Sequence, residues 1–184
     1  MPSRPGPTWT LLNQEGAPYG SANLRGKVTL LTFVYTHCPT ACPLLTAQMK
    51  QLQDELEQDG AFGARVAFVS MTVDPQRDTP ARLKEYAAQM GVDFGGWAWV
   101  TGESEQLGKV WQAYGVVAYV DLASLNTTTP TAHDQHSASN YEVIHSAKTV
   151  LLDGAGNMRA EYIGPELPLK RVAQEIRTLL AAAR

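Results

Sequence analysis

The chain has 184 residues, 44% of them hydrophobic and 18% charged, and its 15 Lys and Arg against 18 Asp and Glu leave a net charge of −3. That is long and apolar enough for one domain with a buried core, and it excludes intrinsic disorder. The charge balance offers no cationic footprint for nucleic acid, no stretch approaches the roughly 18–20 apolar residues of a membrane span, and two cysteines are too few for a disulfide scaffold.

The lead at residues 1–7, MPSRPGP, is Pro-rich and has no apolar h-region, so it does not read as a signal peptide. It is expected to be a tail whose anchor or signal has been removed, ahead of a single domain at residues 8–184. As it stands the chain would remain in the cytoplasm, and a chain trimmed of an export segment would look the same. Residues 28–35 (VTLLTFVY) form a nearly continuous β-branched and aromatic run, as expected of a strand covered on both faces. Residues 44–57 read as a helix ended near Gly60, and residues 66–73 (VAFVSMTV) as a second buried strand stopped by Asp74-Pro75. Thr79 is an N-cap with Pro80 at the first helical position, and Gly91 supplies the stop. A short strand at residues 99–101 precedes a helix capped by Ser104 and ended by Gly115.

Residues 121–140 are a loop rich in Ser, Thr and Ala that contains His133 and His136, and its length marks it as functional or mobile. The runs at 141–152 and 158–163 flank Asp153-Gly154-Ala155-Gly156-Asn157, a hairpin signal. A last helix from about Pro168 places Leu169, Val172, Ile176, Leu179 and Leu180 on one face. This order is α/β, with a central mixed sheet flanked by helices and an extra β-hairpin.

Both cysteines fall in one window, Cys38-Pro39-Thr40-Ala41-Cys42. Residues before proline are pushed out of the α region, and a helix running through the window would set the Pro43 ring against the carbonyl of Pro39. The expectation is therefore that Cys42 is an N-cap, Pro43 the first helical residue, and residues 38–41 a loop leaving the first strand. Both sulfurs would then lie at the positive end of a helix dipole, where thiolates are favoured and reactive. Such a dithiol can close a disulfide or chelate a soft metal; two buried structural cysteines are the alternative. Zinc normally needs four ligands and no second cysteine pair exists, whereas two thiolates and one imidazole suit copper. His145 is the favoured third donor. His37 should point away from Cys38 by strand alternation, and His133 and His136 form an auxiliary site or a solvated loop.

Four segments in order carry a resemblance. THCPTACP at residues 36–43, VDPQRDTP at 73–80, Val100-Thr101-Gly102 with Tyr114-Gly115-Val116, and Ile144-His145-Ser146 before residues 150–153 are similar to the signatures of the Sco/SenC family. The match runs from about Leu24 to the C-terminus. It implies a thioredoxin-like fold and a copper-binding metallochaperone, for Cu(I), Cu(II) or both, that delivers copper to or matures the binuclear CuA site of cytochrome c oxidase. Cys38, Cys42 and His145 would be its metal ligands. The implied partners are the CuA domain of subunit II and another copper chaperone or a thioredoxin-like reductant, with no nucleic acid. The implied location is the extracytoplasmic face of the membrane or the periplasm, with an N-terminal tether. Asp78 matches the family's second motif and is expected to support the site or cap the following turn. The chain departs from the family in two places: Thr40 stands where an acidic residue is common, and the stretch at 121–140 is longer and more polar.

A thiol–disulfide oxidoreductase reducing the cysteines of the CuA subunit is the competing function, with Cys38 and Cys42 as the redox pair. A peroxidase of the peroxiredoxin kind fits less well, since no activating Thr and Arg surround a lone nucleophile. Loops at strand C-terminal ends share one rim in open α/β sheets, which would bring residues 38–42, residues 74–78 and His145 together.

Overall fold

The structure, a computed structural model, describes residues 3–121 and 141–183. In chain order these form β1 (Arg4–Pro5), β2 (Thr10–Asn13), β3 (Pro18–Gly20), a 3-10 turn (Ser21–Leu24), β4 (Val28–Val34), α1 (Ala41–Gln58) and β5 (Val66–Thr72). There follow α2 (Pro80–Gln89), β6 (Trp97–Thr101), α3 (Ser104–Tyr114), β7 (Ala118–Asp121), β8 (Glu142–His145), β9 (Lys148–Leu152), β10 (Asn157–Ile163) and α4 (Leu169–Ala182).

Eight strands make one mixed sheet in the order β1-β10-β9-β4-β5-β6-β2-β3, with β4, β5 and β6 parallel and β9 antiparallel to β4. Every residue of β4 and β5 is buried, which is why these runs are continuously apolar rather than alternating. α1 turns Leu45, Met49, Leu52 and Leu56 inward at helical spacing, and α4 does the same with Val172, Ile176 and Leu180. The two helices pack on each other, with α4 also against β4. Trp97 and Trp99 are fully buried and stack at 5.8 Å, and the Trp97 indole donates to Ser70 Oγ at 2.9 Å. The α3 helix stops as its sequence predicts: Gly115 takes the left-handed conformation at φ 69°, and Val116 N caps back onto the Trp111 carbonyl at 2.8 Å. Among the described residues no helix is long and apolar enough to cross a membrane.

Several local expectations change. Part of the Pro-rich lead joins the sheet: Arg4 and Pro5 pair with Met158 and Asn157, an edge position that tolerates proline. Residues 10–20 hold a hairpin, β2–β3, that carries too few residues per strand to show a period in the sequence. The run at 141–152 is two strands in different sheets: among the described residues β8 pairs with β7 in a separate ribbon while β9 enters the main sheet. Ser104 is the first residue of α3 and not its cap, which is Glu103. The loop with His133 and His136 lies outside the described residues.

Candidate metal centre

The site grows from the C-terminal end of β4. The chain leaves the strand through Tyr35, Thr36 and His37 and reaches Cys38, just ahead of α1. α1 begins earlier than its prolines predict: Thr40 is the N-cap, and Cys42 lies inside the first turn rather than capping it. Pro43 is tolerated because the first-turn N–H groups have no partner within the helix, and the carbonyl its ring would strike belongs to Pro39, outside the helix.

No side chain of the cap residue satisfies those first-turn N–H groups, and the Cys38 sulfur takes that role. It accepts the Cys42 amide at 3.3 Å. A hydrogen bond from the Cys42 thiol and the amides of residues 40–42 overcome burial and bring the Cys38 thiol down to about 5. Cys42 moves the other way, held protonated by its bond to Cys38, by burial and by the neighbouring thiolate charge. The window is thus one thiolate and one thiol, unbridged. Exposed thiols are not what the structure shows: Cys38 is 9% exposed and Cys42 2%. Pro39 and Thr40 between them are exposed.

The turn after β5 supports this loop. Asp78 is fully buried and accepts the Thr36 amide at 3.2 Å, the Thr36 hydroxyl at 2.6 Å and the Thr72 hydroxyl at 2.6 Å. Burial raises its carboxyl above the ordinary range, against the pull of those donors. Asp78 therefore supports the site, while the cap of α2 is Thr79, whose hydroxyl accepts the Arg82 amide at 3.3 Å with Pro80 behind it. Asp74, four residues earlier, is paired with Arg77 and accepts the Tyr141 hydroxyl at 2.5 Å. His37 points away from the dithiol to this turn: its Nδ1 lies 3.2 Å from Thr36 Oγ1, and its donor atoms with those of Asp74 and Asp78 fall mutually within 4.8 Å. Both carboxylates in that group are already engaged.

Register brings His145 to the same rim. Thr32 of β4 lies opposite Thr149 of the antiparallel β9, so the same register carried three residues on from Thr32 and three back from Thr149 brings Tyr35 toward Ser146. The His145 ring meets Tyr35 edge-on with centroids 5.7 Å apart. Its Nδ1 is 3.2 Å from the Ser146 carbonyl, an acceptor only, so Nδ1 carries the proton and Nε2 keeps its lone pair. Burial lowers the imidazole below its ordinary value, offset in part by the Ser146 bond and the Cys38 charge. His145 is a neutral donor at pH 7. Cys38, Cys42 and His145 share one rim, but they are not among the groups whose three donor atoms lie mutually within 4.8 Å.

Sequence reasoning misses Tyr141 and Arg77. Arg77 sits 3.7 Å over the Tyr141 ring and donates to the Tyr141 carbonyl at 2.9 Å, across 64 residues of chain. Burial and the bond to Asp74 push the Tyr141 hydroxyl up to about 12, so it remains a donor.

Residues 2–181 match the sequence model of the SCO1/SenC family. A SCO1 protein homolog of Bacillus subtilis is 32% identical over 158 residues, spanning 86% of this chain and 73% of that protein. Among solved structures, copper-bound ScoI of Bradyrhizobium japonicum has a TM-score of 0.75 at 26% identity, covering 96% of this chain and 99% of that one. BsSco, described as a member of the Sco family of cytochrome c oxidase assembly proteins with a disulfide switch, has a TM-score of 0.73 at 25% identity, covering 97% and 95%.

Proposed function

The chain belongs to the SCO1/SenC family, and from that membership and the rim geometry we propose that it binds copper through Cys38, Cys42 and His145 and delivers it to the CuA site of cytochrome c oxidase. One observation carries the reading: a thiolate held by the α1 N-terminus and a neutral imidazole with a free Nε2 stand on one rim. Copper is the cargo. Two soft sulfurs and one imidazole suit Cu(I) in a low-coordinate site, and Cu(II) with an added ligand. Cys38 is deprotonated before metal arrives, while Cys42 must give up its proton, so binding releases about one proton at neutral pH and weakens as pH falls. Low coordination lets an acceptor's thiolates displace these ligands in turn. The acceptor is the CuA domain of subunit II, and another copper chaperone or a thioredoxin-like reductant prepares the dithiol. The reading places the domain on the extracytoplasmic face of the membrane, tethered on its N-terminal side.

The test is anaerobic titration of the reduced protein with Cu(I) and then Cu(II). Cys38→Ser and Cys42→Ser should each abolish stoichiometric tight binding, and His145→Ala should weaken Cu(II) more than Cu(I). Tight Cu(II) binding that survives His145→Ala unchanged sinks the ligand assignment.

The split between the two cysteines also favours a second reading, a thiol–disulfide oxidoreductase acting on the CuA cysteines. The Cys38 thiolate attacks a substrate disulfide and releases one thiolate. Cys42 then loses its proton and attacks Cys38, which closes the Cys38–Cys42 disulfide and frees the second substrate thiol. Insulin reduction measured beside the copper titration separates the two functions.

A further inference from the structure

Among the described residues the strand that carries His145 has no ladder to the main sheet: β8 pairs with β7, from Ala118 opposite His145 to Asp121 opposite Glu142, so its place beside the dithiol is set by side-chain contacts. Resting on the assignment of His145 as a copper ligand, we propose that Arg77, Asp74 and Tyr141 form a latch that positions His145 against Cys38 and Cys42. Tyr141, Val143 and His145 turn inward along the strand while Glu142 and Ile144 are exposed, so the side-chain period of two ties the orientation of Tyr141 to that of His145.

Tyr141 is held at three points. Its hydroxyl donates to Asp74 at 2.5 Å, its ring lies 3.7 Å under the Arg77 guanidinium, and its carbonyl accepts Arg77 at 2.9 Å. Arg77 is itself paired with Asp74. A hydroxyl, a π face and a carbonyl fixed together leave the residue no free rotation. At the far end of β8, Ser146 N donates to the Val117 carbonyl at 2.9 Å and Val117 N to Ser146 Oγ at 3.3 Å, contacts within the ribbon's own base that do not tie it to the dithiol loop.

The same turn grips the other half of the site. Asp78 holds the amide and hydroxyl of Thr36, two residues before Cys38. Residues 74–78 therefore give the thiolate arm and the imidazole arm a common reference, and the latch sets the gap a metal must bridge. Arg77, Asp74 and Tyr141 are positioning residues; none of them is a ligand.

The experiment uses the full reduced chain, Cu(II) as probe and a competing chelator. Arg77→Gln and Tyr141→Phe should each weaken Cu(II) binding by about tenfold, the range seen when groups behind a metal ligand are removed. Thiolate-to-copper absorption should persist while imidazole nitrogen coupling in the EPR spectrum is lost or reduced. Arg77→Gln combined with His145→Ala should bind no more weakly than His145→Ala alone, since removing the ligand removes what the latch positions. In the copper-free protein, amide exchange at Ile144, whose N–H lies in a bonded ladder pair with Tyr119, should quicken in the single variants. Additive losses with nitrogen coupling intact, or unchanged exchange, overturn the latch. Tyr141→Phe deletes one oxygen and keeps the ring, so it carries the same cycle if Arg77→Gln does not fold. If His145→Ala alone leaves Cu(II) binding unchanged, the ligand assignment fails, and the exchange measurement still decides whether the latch holds β8.

Discussion

Removing the Asp78 carboxylate tests the support beneath the dithiol loop most directly. In Asp78→Ala the Thr36 amide, the Thr36 hydroxyl and the Thr72 hydroxyl lose their acceptor in a fully buried place. An unsatisfied buried polar group costs about 1–3 kcal/mol, and the two hydroxyls can rotate toward other acceptors while the amide cannot, so the expected loss is about 3–5 kcal/mol. Asp78→Asn should cost about 1 kcal/mol or less. Its carbonyl can take both Thr36 donors, and its NH2 can donate to Thr72 Oγ1, which already accepts the Asp74 amide at 2.9 Å and has a second lone pair. Urea unfolding followed by circular dichroism measures both, provided m is unchanged. Burial raises the Asp78 carboxyl, so the folded chain holds its proton more tightly than the unfolded chain does. Its contribution is fully present below the unfolded carboxylate value and is lost as pH rises through the raised one. Asp78→Asn should lack that decline. Equal losses for Ala and Asn, or a loss under 1 kcal/mol for Ala, would refute the hydrogen-bond account.

Alkylation of the reduced protein should follow the Cys38 thiolate, with a rate midpoint near pH 5 and label found on Cys38 alone by mass spectrometry. A midpoint at about 8.5, that of an ordinary thiol, would remove the α1 N-terminus from the account. Gly20→Ala should destabilise the fold by about 1–3 kcal/mol in thermal unfolding, because a Cβ there would stand 2.2 Å from the Trp9 carbonyl oxygen. A neutral result would mean that β2 and β3 separate at little cost.

The parts of the site that are local in sequence were legible in it. The proline-bracketed cysteines, the buried runs on either side and the Thr79-Pro80 helix start all rest on neighbours within a few residues. The mis-set start of α1 has a local cause too: the rule against α conformation before proline places Cys42 as a cap, yet inside a first turn the missing N–H of Pro43 costs nothing. What distance in sequence hides is register and long-range pairing. Nothing in Tyr141 announces a contact with Asp74 67 residues away, and nothing in the 141–152 run shows that its halves enter different sheets. Burial of the sulfurs was hidden for the same reason, since Cys38 and Cys42 join a core cluster drawn from strands and helices along the whole chain.

The asymmetry of the two cysteines serves copper binding and disulfide exchange equally, so it cannot choose between them. One ready thiolate begins either reaction, and the proton on Cys42 is surrendered in either, to a metal or to the closing disulfide. His145 does choose. Exchange needs no third donor, and it gains nothing from a neutral imidazole whose Nδ1 proton is fixed on Ser146 so that Nε2 stays open. Nor does it need a separate ribbon, anchored through Tyr141, to carry that ring to the thiolate's rim. Both features have a use once a metal must be held between sulfur and nitrogen and then released, because a donor on a strand paired outside the main sheet can shift without breaking a ladder bond of the strand that holds the dithiol.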